Sequence, residues 1–242
     1  TPGRAGIDDE ENENLANFFN KQKSTLYVEG FKSPIHFLEK KGYLAKVIPI
    51  KLESNIDIKK IFSKTEIDTQ HKKIRSGQEL KKKFVKKISS NEKRVNMIIE
   101  AAIKESKIKN NKIIIFAGSL ETAESINKML LLEGVKSALI SGETNLAERR
   151  YNIEKFKEEN EDLKILVNYG VLTTGFDAPK ANVAIIGRPT QSVTLYSQMV
   201  GRVMRGKEAG GKSQCKVITV KDPVYGFRDM SESFFYWEEL WN

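Results

Sequence analysis

The chain has 242 residues, enough to bury a sizeable core, and a formal net charge of +9. Its single cysteine, Cys215, excludes an internal disulfide, and His36 and His71 stand apart from other metal-ligating side chains, which argues against a protein metal site. No apolar run approaches the roughly 20 residues that cross a bilayer. We therefore expect a soluble, cytoplasmic protein with no membrane partner and no metal ligands of its own.

The first 110 residues join an acidic, Asn-rich start to a lysine-rich helical zone. Strand character is found at residues 24–28 and 47–50, and residues 34–41 predict a helix. Further along, apolar side chains recur mostly at helical spacing: Phe84, Ile88, Val95, Ile98, Ile99 and Ala102. We expect these helices to pack by one face. The lysine runs at 72–87 and 104–112 are then either a solvated helical face or a surface for a polyanion.

From residue 112 to about 222, short apolar runs alternate with helical stretches. The predicted strands are 113–116, 136–140, 163–167, 183–186 and 216–220, and the predicted helices are 121–132, 147–157 and 195–205. Such alternation predicts an α/β fold with a parallel sheet covered by helices. Ligands of these folds bind at the carboxyl ends of the strands, so we expect the chemistry in the loops after Phe116, Ile140, Val167 and Ile186.

The strongest motif is Gln-x-x-Gly-Arg-x-x-Arg over residues 198–205, on a predicted helix. Arg202 and Arg205 are three residues apart and would share a face, and Gly201 would leave room for a close neighbour. Guanidinium groups keep their charge and stabilise negative charge on a transferring phosphoryl group. The alternative is a surface helix with two salt-bridged arginines.

A second motif, residues 168–179, follows a predicted buried strand and contains two glycines, Thr173, Thr174 and Asp177. Glycine-freed backbone amides and threonine hydroxyls can hold a phosphate, and Asp177 can accept a hydrogen bond from a ribose hydroxyl. A simple Asp-Ala-Pro turn, with glycines required by its geometry, is the alternative.

In order and spacing, these two motifs resemble motifs V and VI of superfamily-two helicases. The sequence of residues 188–205 is most similar to sequences from the branch of RadD-like repair helicases and restriction-enzyme motor subunits. Residues 114–120 resemble motif IV, and Gly142 with Glu148 and Arg149 resembles the motif that follows it. The resemblance covers roughly residues 90–222 and implies a RecA-like three-layer domain, the second of two helicase lobes.

The resemblance also implies roles for individual residues. Arg205 would be the arginine finger, Arg202 a second γ-phosphate contact, and Gln198 the residue that orients both. Gly175 and Asp177 would meet the nucleotide. Contacts to the nucleic-acid backbone would come from Ser119, Arg149, Thr173 and Thr174. The implied cofactor is ATP with Mg²⁺, held mainly by the first lobe, and the implied partner is nucleic acid, with DNA favoured over RNA.

The resemblance divides the chain into four parts. Residues 1–46 would be the tail of the first lobe and a linker, 47–110 a connecting strand and lysine-rich helices, 111–222 the second lobe, and 223–242 an aromatic tail. Residues 1–4, Thr-Pro-Gly-Arg, resemble the end of motif III, so we expect most of the first lobe to lie upstream of this chain. In the tail, Phe234, Trp237 and Trp241 share a helical face that either packs on the domain or contacts bases or another domain.

Residues 206–213 satisfy the Gly-x4-Gly-Lys-Ser pattern of a phosphate-binding P-loop. A working P-loop follows a strand and opens a helix, whereas here a helix precedes and a strand follows. We therefore expect a flexible, basic glycine loop instead. Two other classes stay open: a non-motor nucleic-acid-binding module, which leaves the paired arginines without a role, and a Rossmann-type transferase, whose Gly-x-Gly-x-x-Gly turn residues 116–120 do not supply.

Overall fold

The computed structural model describes residues 17, 28–31, 33–75, 80–158, 163–171 and 177–224. Residues 1–4, the strand-like segment up to residue 27, and the aromatic tail lie outside these ranges. In the described part, the helices are α1 Pro34–Lys40, α2 Ile58–Ile61, α3 Lys64–Arg75, α4 Lys82–Ser89, α5 Glu92–Ser106, α6 Leu120–Leu132, α7 Leu146–Lys157 and α8 Val193–Val200. The strands are β1 Lys46–Glu53, β2 Ile113–Phe116, β3 Ser137–Ile140, β4 Ile165–Asn168, β5 Val183–Ile186 and β6 Gln214–Lys221.

The six strands form one sheet in the order β1-β6-β5-β2-β4-β3, and every pair is parallel. All strands therefore start at one end of the sheet, called here the amino end, and finish at the other, the carboxyl end. The helices cover both faces, as parallel sheets require. The predicted α/β, RecA-like layering is confirmed.

Strands β2, β4 and β5 are buried along their whole length. Their side chains alternate between two cores because successive residues point to opposite faces. On β2, Ile114 and Phe116 join the core with Tyr196 and Met199 of α8, whereas Ile113 joins the core under α5 and α6. Full burial of one Ile or Phe side chain stabilises the folded protein by roughly 1.5–3 kcal/mol, so these apolar runs hold the sheet together.

Polar side chains mark where most helices begin. The residue before the helix accepts a hydrogen bond from a backbone N–H of the first turn at Ser33, Asp57, Asn91, Ser119, Asn145 and Ser192. Such caps satisfy amides that the helix itself leaves unpaired. Ser119 comes soon after β2 and Ser192 soon after β5, so these caps fix the turns at the carboxyl end of the sheet.

The lysine-rich zone packs by one face, as predicted. Phe84, Val85 and Ile88 of α4 are buried in a third apolar cluster, in which the rings of Phe62 and Phe84 stack at 4.2 Å. Strand β1 pairs with β6 over eight residues, and α5 packs on the central strands. The division of the chain at residue 110 stays a prediction, and β1 and α5 share the sheet and core of the residues that follow it.

The helix predicted for 195–205 is wrong at its end, because α8 stops at Val200. The chain then turns and pairs with an earlier segment: Ala45 N–H donates to Met204 O at 2.9 Å, and Leu44 bridges Arg205. These tertiary hydrogen bonds outweigh helix propensity, which is a weak local preference. Gly201 also differs from expectation, since a Cβ there would meet only carbonyl oxygens of its own preceding turn, that of Ser197 at 3.1 Å.

The glycine loop expected at 206–213 is tied to the rest of the protein by backbone hydrogen bonds. It contains a short 3-10 turn, Lys207–Ala209, and its backbone is hydrogen-bonded at both ends. Across the described residues, no helix is long and apolar enough to span a membrane. In the same ranges, no group of three or more His, Cys, Asp or Glu side chains is placed to hold a metal ion.

Candidate functional site

Arg205 forms an exposed ion pair with Asp177. Its Nε and Nη2 donate to Asp177 Oδ1 at 3.3 and 3.2 Å, and the two side chains are 39% and 69% exposed. Exposed pairs of this kind contribute only about 0–1 kcal/mol. The guanidinium is therefore reachable from solvent, and a competing anion can displace the carboxylate at little cost.

Arg202 lies close to the same two charges. Its pKa is lowered mainly by burial and further by the positive charge of Arg205, while the negative charge of Asp177 opposes that change. The structure thus brings Arg202, Arg205 and Asp177 together. Both arginines follow the end of α8, so they do not share a helical face as predicted. An exposed guanidinium that keeps its charge suits an anionic ligand such as a phosphate.

The backbone around Arg205 is fixed by the segment that precedes β1. Gly206 N–H donates to Tyr43 O, and Glu208 N–H donates to Gly42 O, each at 3.0 Å. A Cβ at Gly206 would lie 2.0 Å from Gly42 O, so only glycine fits there. Sequence reasoning missed this contact, and the glycines at 42 and 206 were its only signal.

The same contacts explain the P-loop-like sequence. The amides that a P-loop would aim at phosphates are used within the protein: Gly206 N–H and Glu208 N–H as above, Gly211 N–H to Gly206 O at 2.8 Å, and Lys212 N–H to Arg205 O at 3.2 Å. A Cβ at Gly211 would lie 2.1 Å from Arg205 O. These glycines allow backbones to approach each other, and the rejection of a P-loop here agrees with the geometry.

The arginine cluster lies at the amino end of the sheet. The backbone of Arg205 forms an antiparallel β-bridge with Leu44, which lies two residues before β1 begins. The loop that follows Arg205 leads into β6. This placement departs from the expectation that the chemistry lies in the loops at strand carboxyl ends. The reason is topological: α8 starts after β5 at the carboxyl end and returns the chain to the amino end. Gln198 lies in the last turns of α8 and is partly buried.

Of the residues predicted to contact nucleic acid, the two that the structure describes, Ser119 and Arg149, lie at the opposite, carboxyl end. Ser119 follows β2 and caps α6: its Oγ accepts from Thr122 N–H at 3.1 Å and lies 2.9 Å from Thr122 Oγ1. Ser119 is only 4% exposed. Its hydroxyl is therefore committed to the turn, and its contact with nucleic acid stays a prediction.

Arg149 fastens the turn between β3 and α7. Its Nη2 donates to Ser141 O at 2.8 Å and to Thr144 O at 3.3 Å. The guanidinium thus holds a loop at the carboxyl end of the sheet. Its predicted role is not tested by this geometry. Thr173, Thr174 and Gly175 lie outside the described residues.

A buried ion pair fixes the carboxyl end of β6. Arg94 Nε donates to Asp222 Oδ1 at 2.8 Å, and the two side chains are 0% and 1% exposed. Arg94 is in the first turn of α5, so the pair ties that helix to the residue that follows β6. Sequence reasoning missed this pair because the two residues are 128 positions apart.

Comparison with known proteins bears on this geometry. Residues 93–207 match the family model of the helicase conserved C-terminal domain. The pre-mRNA-processing ATP-dependent RNA helicase PRP5 of Kluyveromyces lactis is 35% identical over 101 residues, which is 42% of this chain and 12% of that protein. The DEAD-box ATP-dependent RNA helicase 39 of Arabidopsis thaliana is 26% identical over 161 residues, 66% of this chain and 24% of that protein.

Solved structures show the same fold. The C-terminal domain of the DEAD-box protein Dbp5 has a TM-score of 0.50 at 19% identity, over 62% of this chain and 81% of that chain. A Vibrio vulnificus fragment described as the HsdR subunit of a type I restriction enzyme has a TM-score of 0.55 at 18% identity, over 91% of this chain and 38% of that chain.

The matched segments are small parts of the relatives, between 12% and 20% of the lengths of the first three. The comparisons therefore concern one domain of larger proteins. Family match, parallel sheet and helix order agree on that domain. We conclude that residues 93–207 of this chain form a helicase conserved C-terminal domain, which confirms the predicted resemblance to the C-terminal lobe of superfamily-two helicases.

Proposed function

We propose that this chain is the second RecA-like lobe of an ATP-driven nucleic-acid motor and supplies Arg205 as its arginine finger. The observation that carries the proposal is the solvent-reachable guanidinium of Arg205 at the amino end of the sheet, set on a backbone that glycine contacts fix in place. A guanidinium that never loses its charge and need not be ordered at each turnover is suited to stabilise a phosphoryl transfer.

In this proposal the Arg205–Asp177 pair is the resting arrangement. When the two lobes close, Arg205 moves from the carboxylate to the γ-phosphate of ATP, and Arg202 makes the second contact. Asp177 would then be free to accept a hydrogen bond from a ribose hydroxyl, Gln198 would orient the two arginines, and Gly175 would meet the nucleotide, as the resemblance implies. ATP would supply the transferring phosphoryl group, and the first lobe would hold its Mg²⁺.

The same proposal assigns the carboxyl end of the sheet to the nucleic acid. Ser119, Arg149, Thr173 and Thr174 would contact the backbone of the strand, which positions it without reading its sequence. Two ends of one sheet would then serve two ligands. We propose DNA as the preferred track, on the resemblance to restriction-enzyme motors, and the RNA helicases among the relatives make RNA the competing choice.

The test is ATP hydrolysis by a protein that contains both lobes. We expect hydrolysis to rise when single-stranded or duplex DNA is added, and to rise less with RNA of the same length and sequence. Equal or greater stimulation by RNA would reverse the choice of track. The 242-residue chain alone should hydrolyse almost no ATP, because the phosphate-binding loop and the metal-binding acid are expected on the first lobe.

A non-motor nucleic-acid-binding module is the second candidate, and the net charge of +9 favours it. It predicts binding of nucleic acid with no nucleotide dependence and no role for the arginine pair. Hydrolysis that DNA and RNA both leave unchanged, in a protein with both lobes, would support this module over the motor.

A further inference from the structure

Helix α4 presents a row of exposed lysines on its outer side. Phe84, Val85, Ile88 and Ser89 form its buried side. The lysines of and just before the helix are exposed, and we call them the α4 lysine face: Lys81, Lys82, Lys83, Lys86 and Lys87. The packing of the apolar side thus turns the four lysines within the helix outward.

The α4 lysine face borders the turn between β2 and α6, residues 117–119, which we call the Ser119 turn. Lys86 forms an ion pair with Glu121, two residues after Ser119. At the end of α4, Ser89 packs against the same turn so closely that a Cβ at Gly118 would lie 1.9 Å from Ser89 Oγ. Helix α4 is therefore a direct neighbour of the carboxyl-end surface that we assign to nucleic acid.

The face keeps an excess of positive charge. Glu121 pairs with Lys86, and Glu66 pairs with Lys87 at 3.5 Å. Among the described residues, no carboxylate pairs with Lys81, Lys82 or Lys83. The aromatic ring of this helix, Phe84, is buried, so the face offers charge and no ring on which a base could stack. Its chemistry suits the phosphodiester backbone.

We propose that the α4 lysine face extends the nucleic-acid track beyond the Ser119 turn and binds the phosphate backbone without reading sequence. This inference rests on the proposed function, since it assumes that a strand passes the Ser119 turn. The Cβ atoms of lysines one helical turn apart, such as Lys82 and Lys86, are about 5–6 Å from each other. The eight-residue helix is about 12 Å long. That length spans roughly three to four steps of 3.4 Å along one strand of a duplex.

The test compares two double variants of the chain. Lys82→Gln with Lys83→Gln removes two charges from the face. Lys104→Gln with Lys128→Gln is the matched control, because these exposed lysines lie on α5 and α6 toward the amino end. Fluorescence anisotropy of labelled single-stranded and duplex oligonucleotides, measured over a series of salt concentrations, gives the slope of log affinity against log salt concentration.

We expect the Lys82 and Lys83 variant to lower the magnitude of that slope by about 1 to 2, and the control to leave it unchanged. The unmodified chain should bind longer oligonucleotides more tightly than shorter ones, and this gain in affinity should be smaller for the variant. Equal slopes for variant and control would overturn the inference, as would an unmodified chain that binds no nucleic acid. The proposed motor is judged separately: hydrolysis that nucleic acid stimulates in a protein with both lobes, alongside equal slopes, would sink the α4 inference alone.

Discussion

At the amino end of the sheet, the exposed side chains of Arg205 and Asp177 lie above a fixed backbone, whereas at the carboxyl end Ser119 and the Arg94–Asp222 pair are buried in the turns. Arg205 and Asp177 are exposed above a backbone locked by Gly42 and Gly206. Ser119 caps a helix, and Arg94 pairs with Asp222 out of reach of solvent. The difference teaches that the amino-end pair stays available for a ligand, while the buried groups at the carboxyl end hold loops in shape and leave contact with nucleic acid to exposed neighbours such as the α4 lysine face.

The largest expected effect tests the amino end. Arg205→Ala in a protein with both lobes should lower kcat by about three orders of magnitude, because arginine fingers contribute roughly 10³–10⁵. Lys212→Ala is the control, since Lys212 donates its Nζ to Asn110 O and belongs to the P-loop-like sequence without serving a phosphate. Stimulated ATP hydrolysis is the measurement, and loss of activity in the Lys212 variant instead would reverse the assignment.

The buried pair at the carboxyl end gives the next largest effect, on stability. Asp222→Ala leaves the Arg94 guanidinium buried without its partner, which should cost about 3–5 kcal/mol of unfolding free energy. The double variant Arg94→Met with Asp222→Leu removes both charges and should recover most of that loss. Urea unfolding measures both, and a double variant as unstable as the single one would show that the charge pair is not what holds α5 to β6.

Two glycines separate the ends more finely. Gly206→Ala puts a methyl group 2.0 Å from Gly42 O, so it should cost about 1–3 kcal/mol and displace Arg205, lowering kcat as well. Gly142→Ala is the matched change at the carboxyl end, where a Cβ meets nothing within 4 Å. There we expect neutral or slightly raised stability, by up to about 1 kcal/mol. Equal destabilisation by both changes would contradict the contact at Gly206.

A smaller effect is expected at the Ser119 cap. Ser119→Ala should cost about 1 kcal/mol, since the cap satisfies the Thr122 amide. Ser125→Ala, inside the same helix, should be near neutral, because alanine favours helix interiors. Thermal or urea unfolding distinguishes the two. If both changes are neutral, the Ser119 hydroxyl does not hold the turn, and its predicted nucleic-acid contact becomes the simpler reason for its presence.

The smallest effect concerns Cys215, in β6 near the amino end. Burial, and to a lesser degree the negative charge of Glu39, raise the pKa of its thiol to about 12. The reactive thiolate is therefore scarce at pH 8, and a thiol reagent should label the folded protein far more slowly than the urea-unfolded chain. Rapid labelling of the folded protein would mean that this part of the sheet opens to solvent.

Much of the fold was predictable because it depends on local pattern. The bounds of β2 and β5 agree with the sequence prediction, and those of α6 and α7 agree within one residue. Continuous apolar runs and helical periodicity are properties of neighbouring residues. The end of α8 could not be predicted in this way, since it is decided by a pairing between residues 44–45 and 204–205, which are far apart in the sequence.

For the candidate site, the sequence by itself determined which residue types are present and their order: the paired arginines, Asp177, and the polar turns after the strands. The tertiary structure decided the rest, because parallel crossovers assign each loop to one end of the sheet. It set the arginine pair at the amino end, buried Ser119 at the carboxyl end, and brought Gly42 against Gly206. Long-range backbone contacts and burial decide these relations, and no local pattern encodes them.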